Sequence, residues 1–142
     1  MKLKIAVALL AVAGVSGCST TSAGKSGGGP LSRLTGSGRS DTSVVAALGN
    51  GLIGSKVALS ADDRELALQA EYRALEYSAA GKSIEWKNKS GNRVGEVVAA
   101  QPYQVGSQNC RQYTHTVRID GAPQSARGTA CRNEDGSWTP LT

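Results

Sequence analysis

Few residues in this chain are of a type or spacing that does chemistry. Its 142 residues hold one histidine, His115, and three cysteines, Cys18, Cys110 and Cys131. A nucleophilic triad needs a histidine between a nucleophile and an orienting acid. No GxSxG or HExxH pattern surrounds His115, so nothing local supplies those partners. A metal site would lack ligands, since there is a single histidine and no CxxC. Asp62 and Asp63 read as a helix start and Glu134 and Asp135 as a turn, not as paired catalytic carboxylates. The run GKSGGGP lacks the glycine loop and following helix that cradle a phosphate. The expectation is a protein with no catalytic residues, no metal and no cofactor. His115 is expected to pack as a structural residue.

The cysteines carry more information. Lys2 and Lys4 precede an apolar run from Ile5 to Val15, then Ser16, Gly17 and Cys18. That order reads as a bacterial lipoprotein signal peptide. The run is about half of the roughly 20 residues a membrane span needs. Cleavage is expected before Cys18, which would carry diacylglycerol and an N-acyl chain. Each buried methylene contributes about 0.8 kcal/mol to such an anchor. Ser19, in place of aspartate, points to the outer membrane in enteric-type sorting. Cys110 and Cys131 then form an even pair in an oxidising compartment and are expected to be disulfide-bonded. Losing Lys2 and Lys4 lowers the formal charge from +5 to +3, too little and too dispersed for a nucleic-acid binder.

Four segments would position these residues. Residues 1–17 are the signal. Residues 18–43, rich in Gly, Ser and Thr, read as a lipid-anchored flexible tether. Residues 44–59 place small residues every four positions: Ala46, Asn50, Gly54 and Ala58, then Ala47, Gly51 and Ser55. This is the small-xxx-small spacing of close helix packing in membranes. The segment is therefore a candidate for membrane association or self-association, the alternative being a Gly-rich helix lying on the protein or the lipid surface. Residues 60–142 form the α+β part. Ser60 can cap a helix of about five turns, with Leu68, Tyr72 and Leu75 as its stripe. Glu71 falls off that stripe, and Gly81 is the expected stop. From Lys82 the period changes to two, giving strands SIEWKN, RVGEVVAAQ, CRQYTHTVRI and APQSARGTACR. Pro102 and QVGSQN read as a loop, and Asp135-Gly136 as a last short hairpin bringing in Trp138.

The cysteines and one turn predict each other. If Asp120-Gly121 is a two-residue hairpin loop, residues whose numbers total 241 face each other. Cys110 and Cys131 fall opposite at a non-hydrogen-bonded site, where Cα atoms are about 4.5 Å apart. Tyr113 falls opposite Gly128, with a bulge there as the main risk to the register. Tyr113, His115, Val117 and Ile119 share a face with Ala126 and Ala130. The disulfide closes a loop of about 20 residues and is worth on the order of 3 kcal/mol.

The expected fold is α+β: one amphipathic helix packed on a small antiparallel meander, stapled by Cys110–Cys131. Arg111, Arg127, Arg132 and Trp138 are the candidates for an exposed contact surface. Trp86, Trp138, Tyr72 and Tyr77 are expected in the core rather than on a sugar-stacking surface.

Several segments together resemble a known family. They are the lipobox, the Gly-rich middle, the DRELALQAEYRAL helix, IEWKN, Cys110-Arg111, Asp120-Gly121, Gly128–Arg132 and Asp135–Trp138. Over roughly Leu66 to Trp138 the chain resembles the 17 kDa surface-antigen lipoproteins of Gram-negative outer membranes. Members carry a fuller glycine zipper, which Asn50 and Lys56 interrupt here. The resemblance implies an outer-membrane lipoprotein and surface antigen, and brings no catalytic residues. The expected partners are outer-membrane lipid, another envelope protein or a second copy, and peptidoglycan. The alternative is an envelope glycan-binding module or an inhibitor of a lysozyme-type enzyme.

Overall fold

The computed structural model describes residues 41–141, all within one compact unit. The expected signal peptide, Cys18 and most of the tether lie outside the described residues. Helix α1 (Asp41–Ala46) and a single 3-10 turn (Ile53–Ser55) lead to the main helix α2 (Ala61–Glu76). Six strands follow: β1 (Ser83–Lys87), β2 (Arg93–Ala99), β3 (Tyr103–Val105), β4 (Gln108–Ile119), β5 (Ala122–Arg132) and β6 (Trp138–Pro140). They form one antiparallel sheet in the order β1-β2-β4-β5-β6, with β3 also paired to β4. The α+β class is the expected one. One sheet face packs against α2, and the other carries exposed Glu85, Glu96, Arg118 and Arg127, as an antiparallel sheet allows.

The β4–β5 hairpin has the register that the turn dictates, with Cys110 opposite Cys131, Tyr113 opposite Gly128 and no bulge. Asp120 and Gly121 have φ of 49° and 86°, the pair of positive angles a tight mirror-image turn requires. Cys110 and Cys131 are bonded, with Cα atoms 4.0 Å apart. Two elements differ from expectation. Strand β3 and the turn at Gly106-Ser107 occupy the expected loop; all three of its residues are exposed, so no alternation announces it. Helix α2 stops at Glu76, well before Gly81.

Ser60 caps α2 by accepting the Asp63 N–H at 3.1 Å, and Asp62 and Asp63 lie in its first turn, where negative charge meets the positive helix end. Its buried stripe is Ala67, Ala70, Glu71, Ala74 and Leu75, with Leu68 and Tyr72 on the flank. The alanines let the helix come close to the sheet.

Residues 44–59 are part of the same core as the helix and the sheet, in line with the alternative of a Gly-rich segment lying on the protein. Leu48 is 2% exposed and Ile53 fully buried, and both join Leu59 in one cluster with Ala70, Ala74, Tyr113 and Val117. The small residues serve close approach to α2. A Cβ on Gly51 (φ +73°) would lie 2.9 Å from Leu68 Cδ2 and 3.2 Å from the Glu71 carboxylate. Among the described residues no helix is long and apolar enough to cross a membrane.

Candidate functional site

The most chemistry-like group in the described chain is buried. His115, on the inner face of β4, and Glu71, on the sheet side of α2, are both fully inaccessible. Trp86 Nε1–H donates to His115 Nε2 at 2.8 Å. That nitrogen is therefore the acceptor, and the ring proton sits on Nδ1. Nδ1–H donates to Glu71 Oε1 at 2.7 Å. The same carboxylate accepts the backbone N–H of Leu52 at 2.9 and 3.0 Å and that of Ile53 at 3.3 Å. Trp86 lies over Gly95, where any Cβ would overlap the indole.

An acid paired to a histidine is two-thirds of a triad, but an indole N–H occupies the place of the nucleophile. It donates a proton to Nε2 and attacks nothing, so the group works as a latch. Glu71 joins α2 to the 52–53 backbone, and His115 carries the connection through β4 to β1. Tyr113 Oη is buried beside this group with no hydrogen-bond partner. Desolvation, with a smaller contribution from the Glu71 charge, pushes its phenol above the usual range.

Arg111 is a second internal tie. Its Nη1 donates to the carbonyls of Ala74 (3.0 Å), Leu75 (2.8 Å) and Ser78 (3.0 Å), and its Nε to Ala100 O (2.8 Å). A cation at a helix C-terminus satisfies orphan carbonyls and meets the negative dipole end. Burial pulls its guanidinium below the usual value.

A third group lies at the end of α2. Glu76 accepts two hydrogen bonds from Arg132, at 2.8 and 2.9 Å, and one from Trp138 Nε1 at 2.8 Å. The Arg132 hydrogen bond outweighs desolvation and holds the Glu76 carboxyl below its usual range. Tyr72 meets Tyr77 edge-on, with centroids 5.9 Å apart. Desolvation, followed by a hydrogen bond to Tyr77, pushes the Tyr72 phenol up to about 12.

The four candidate contact residues therefore separate. Arg111 and Trp138 are 5% and 3% exposed, which corrects their placement on an exposed surface: carbonyls claim one and Glu76 the other. Arg132 is half-buried against Glu76, and Arg127 is exposed on the outer sheet face, opposite Thr114. Trp86 and Trp138 are in the core as expected, Tyr72 is half-buried, and Tyr77 is 75% exposed. Among the described residues no three His, Cys, Asp or Glu side chains converge as metal ligands would. Sequence reasoning missed Glu71. Its one signal is its spacing, four residues after Ala67 and four before Leu75.

The fold and its buried polar ties define a disulfide-stapled α+β domain. Residues 73–139 match the family described as 17 kDa outer membrane surface antigen. A 17 kDa surface antigen of Rickettsia bellii is 43% identical over 77 residues, covering 54% of this chain and 48% of the relative. Those of Rickettsia felis and Rickettsia prowazekii are 44% and 42% identical, with the same coverage. The chain thus spans about half the length of the curated relatives it matches. No solved structure matches it.

Proposed function

We propose that this chain is a lipid-anchored outer-membrane surface antigen whose C-terminal domain is a non-catalytic protein-interaction module of the cell envelope. The observation that carries the reading is the enclosure of His115. The one side chain suited to general-base chemistry near neutral pH gives both ring nitrogens to internal partners and has no access to solvent. The surface-antigen names of the relatives support the location. Cys18 carries the lipid anchor. The outer sheet face, with the exposed Arg127 of β5 on it, docks another envelope protein.

Two measurements test this. Cys18→Ser should abolish acylation and leave an uncleaved, mislocalised precursor; a correctly processed, membrane-bound mutant defeats the anchor. A photo-crosslinker at position 127 in cells should capture one discrete envelope protein. Adducts to lipid alone, or none, would remove the sheet face from the interaction.

A further inference from the structure

Where the β3–β4 turn meets the β5–β6 turn, an open cleft of about 660 Å³ is lined by Gln108, Asn109, Arg132, Asn133, Glu134 and Asp135, among others. We propose that this cleft binds an uncharged oligosaccharide, with Tyr77 as a stacking platform beside its Arg132 rim. The proposal rests on reading the domain as a non-catalytic binding module.

The lining selects the ligand. All of the named side chains are polar, and the amides and carboxylates offer donors and acceptors side by side. Such a surface matches a ligand whose hydroxyls both give and take hydrogen bonds. An acyl chain or an apolar peptide would find only a small apolar area to bury against there. The charge balance selects further. Glu134 and Asp135 line the cleft, and the Arg132 charge is taken up by Glu76. The exposed Glu134 carboxylate disfavours a phosphate or another anion at this site.

The cleft is also held in shape before any ligand arrives. The Asn133 side-chain amide donates to Ser137 Oγ at 2.9 Å and to Thr139 Oγ1 at 2.8 Å. Both of its donors are thereby engaged, and its oxygen remains to accept from a ligand hydroxyl. Asp135 Oδ1 accepts the Ser137 N–H at 2.9 Å and the Ser137 hydroxyl at 2.6 Å. Arg132 is clamped by Glu76, which Trp138 also holds. A preordered site loses less conformational entropy on binding.

The rim supplies the apolar half of sugar recognition. Tyr77 is 75% exposed and directly follows Glu76, whose carboxylate holds the Arg132 side chain of the cleft. Its edge-on contact with Tyr72 fixes the ring. An aromatic face with a polar tip suits the C–H face of a pyranose, which is apolar above and hydroxylated at its edge.

The test applies full-length protein in detergent micelles to an array of neutral, sialylated and phosphorylated oligosaccharides. Retention on neutral glycans alone is expected. Asn109→Ala and Tyr77→Ala should each weaken the best neutral glycan at least ten-fold by calorimetry, with thermal melts unchanged, and Arg127→Ala should bind as the parent does. Three outcomes overturn the proposal: no neutral glycan bound, a preference for acidic or phosphorylated glycans, or parent affinity in both cleft variants. The crosslink at position 127 reads the outer sheet face at a residue that does not line the cleft, so failure at the cleft leaves the protein-interaction reading to its own test.

Discussion

Glu71 takes four internal hydrogen bonds in the described core, as many as Arg111 makes. A carboxylate buried beneath two backbone N–H groups and an imidazole N–H is tolerable only while all three donate to it. Glu71→Ala strands those donors, at about 1–3 kcal/mol for each unsatisfied buried group, and leaves a cavity. The expected loss is at least ~3 kcal/mol in a urea titration; a change within ~1 kcal/mol would mean water replaces the carboxylate. Trp86→Phe removes only the donor to His115 Nε2 and should cost less than Glu71→Ala. Glu76 gives the acid dependence. Its carboxyl is held below the ordinary value of 4.5, so the native state favours the ionised form. Its contribution is complete above about pH 4.5 and is lost as pH falls through the lower folded value. Glu76→Gln should therefore be less stable than the parent at pH 7, and the gap should narrow by pH 3. A gap that stays constant from pH 7 to pH 3 would place the effect in packing rather than ionisation.

Arg111 sets the length of α2, and this explains why the helix end was hidden from the sequence. The side chain that takes the last carbonyls is 33 positions from Ser78 and 37 from Ala74. A local pattern shows Gly81 as a stop, but not a guanidinium arriving from β4. The β4–β5 hairpin was legible for the opposite reason. Its turn residues, its register and its disulfide lie within one continuous stretch, and each restricts the others. Strand β3 was illegible because a three-residue exposed strand has no buried face to impose a period. The cleft residues were visible only as turn residues, since their convergence depends on β3 turning beside the β5–β6 connection. Arg111→Met keeps much of the aliphatic bulk but leaves four carbonyls without their donor. The last turn of α2 should then fray first. Hydrogen exchange should accelerate at residues 74–78 by more than at 63–70, while the β4–β5 amides keep their protection. Uniform acceleration across the helix would make Arg111 a global support instead of a cap.

At the scale of the molecule, the segment 44–59, a candidate for membrane association or self-association or for lying on the protein, is folded back as the third side of the core. Its small residues were legible; their purpose was not, because the same spacing serves close packing within one chain. Glu71 and this strap both lie outside the matched span, residues 73–139, so the family match alone does not imply the latch between them. Three consequences follow from removing the strap. Leu48, Ile53 and Leu59 leave the cluster, uncovering Tyr113 and Val117. The backbone donors of Leu52 and Ile53 leave Glu71. The Ala58 carbonyl is lost to Arg93, which then pairs with Asp63 alone. Deleting one large buried aliphatic side chain costs about 2–5 kcal/mol, and a domain holds only about 5–15 kcal/mol in total. A chain of residues 61–142 should therefore lack a cooperative thermal transition, even with Cys110–Cys131 intact. Residues 41–142 should melt in a single step by circular dichroism. If 61–142 melts cooperatively at the same temperature, the strap lies on a core that is complete without it. Glu71→Ala in that shorter chain should then cost no more than an exposed substitution.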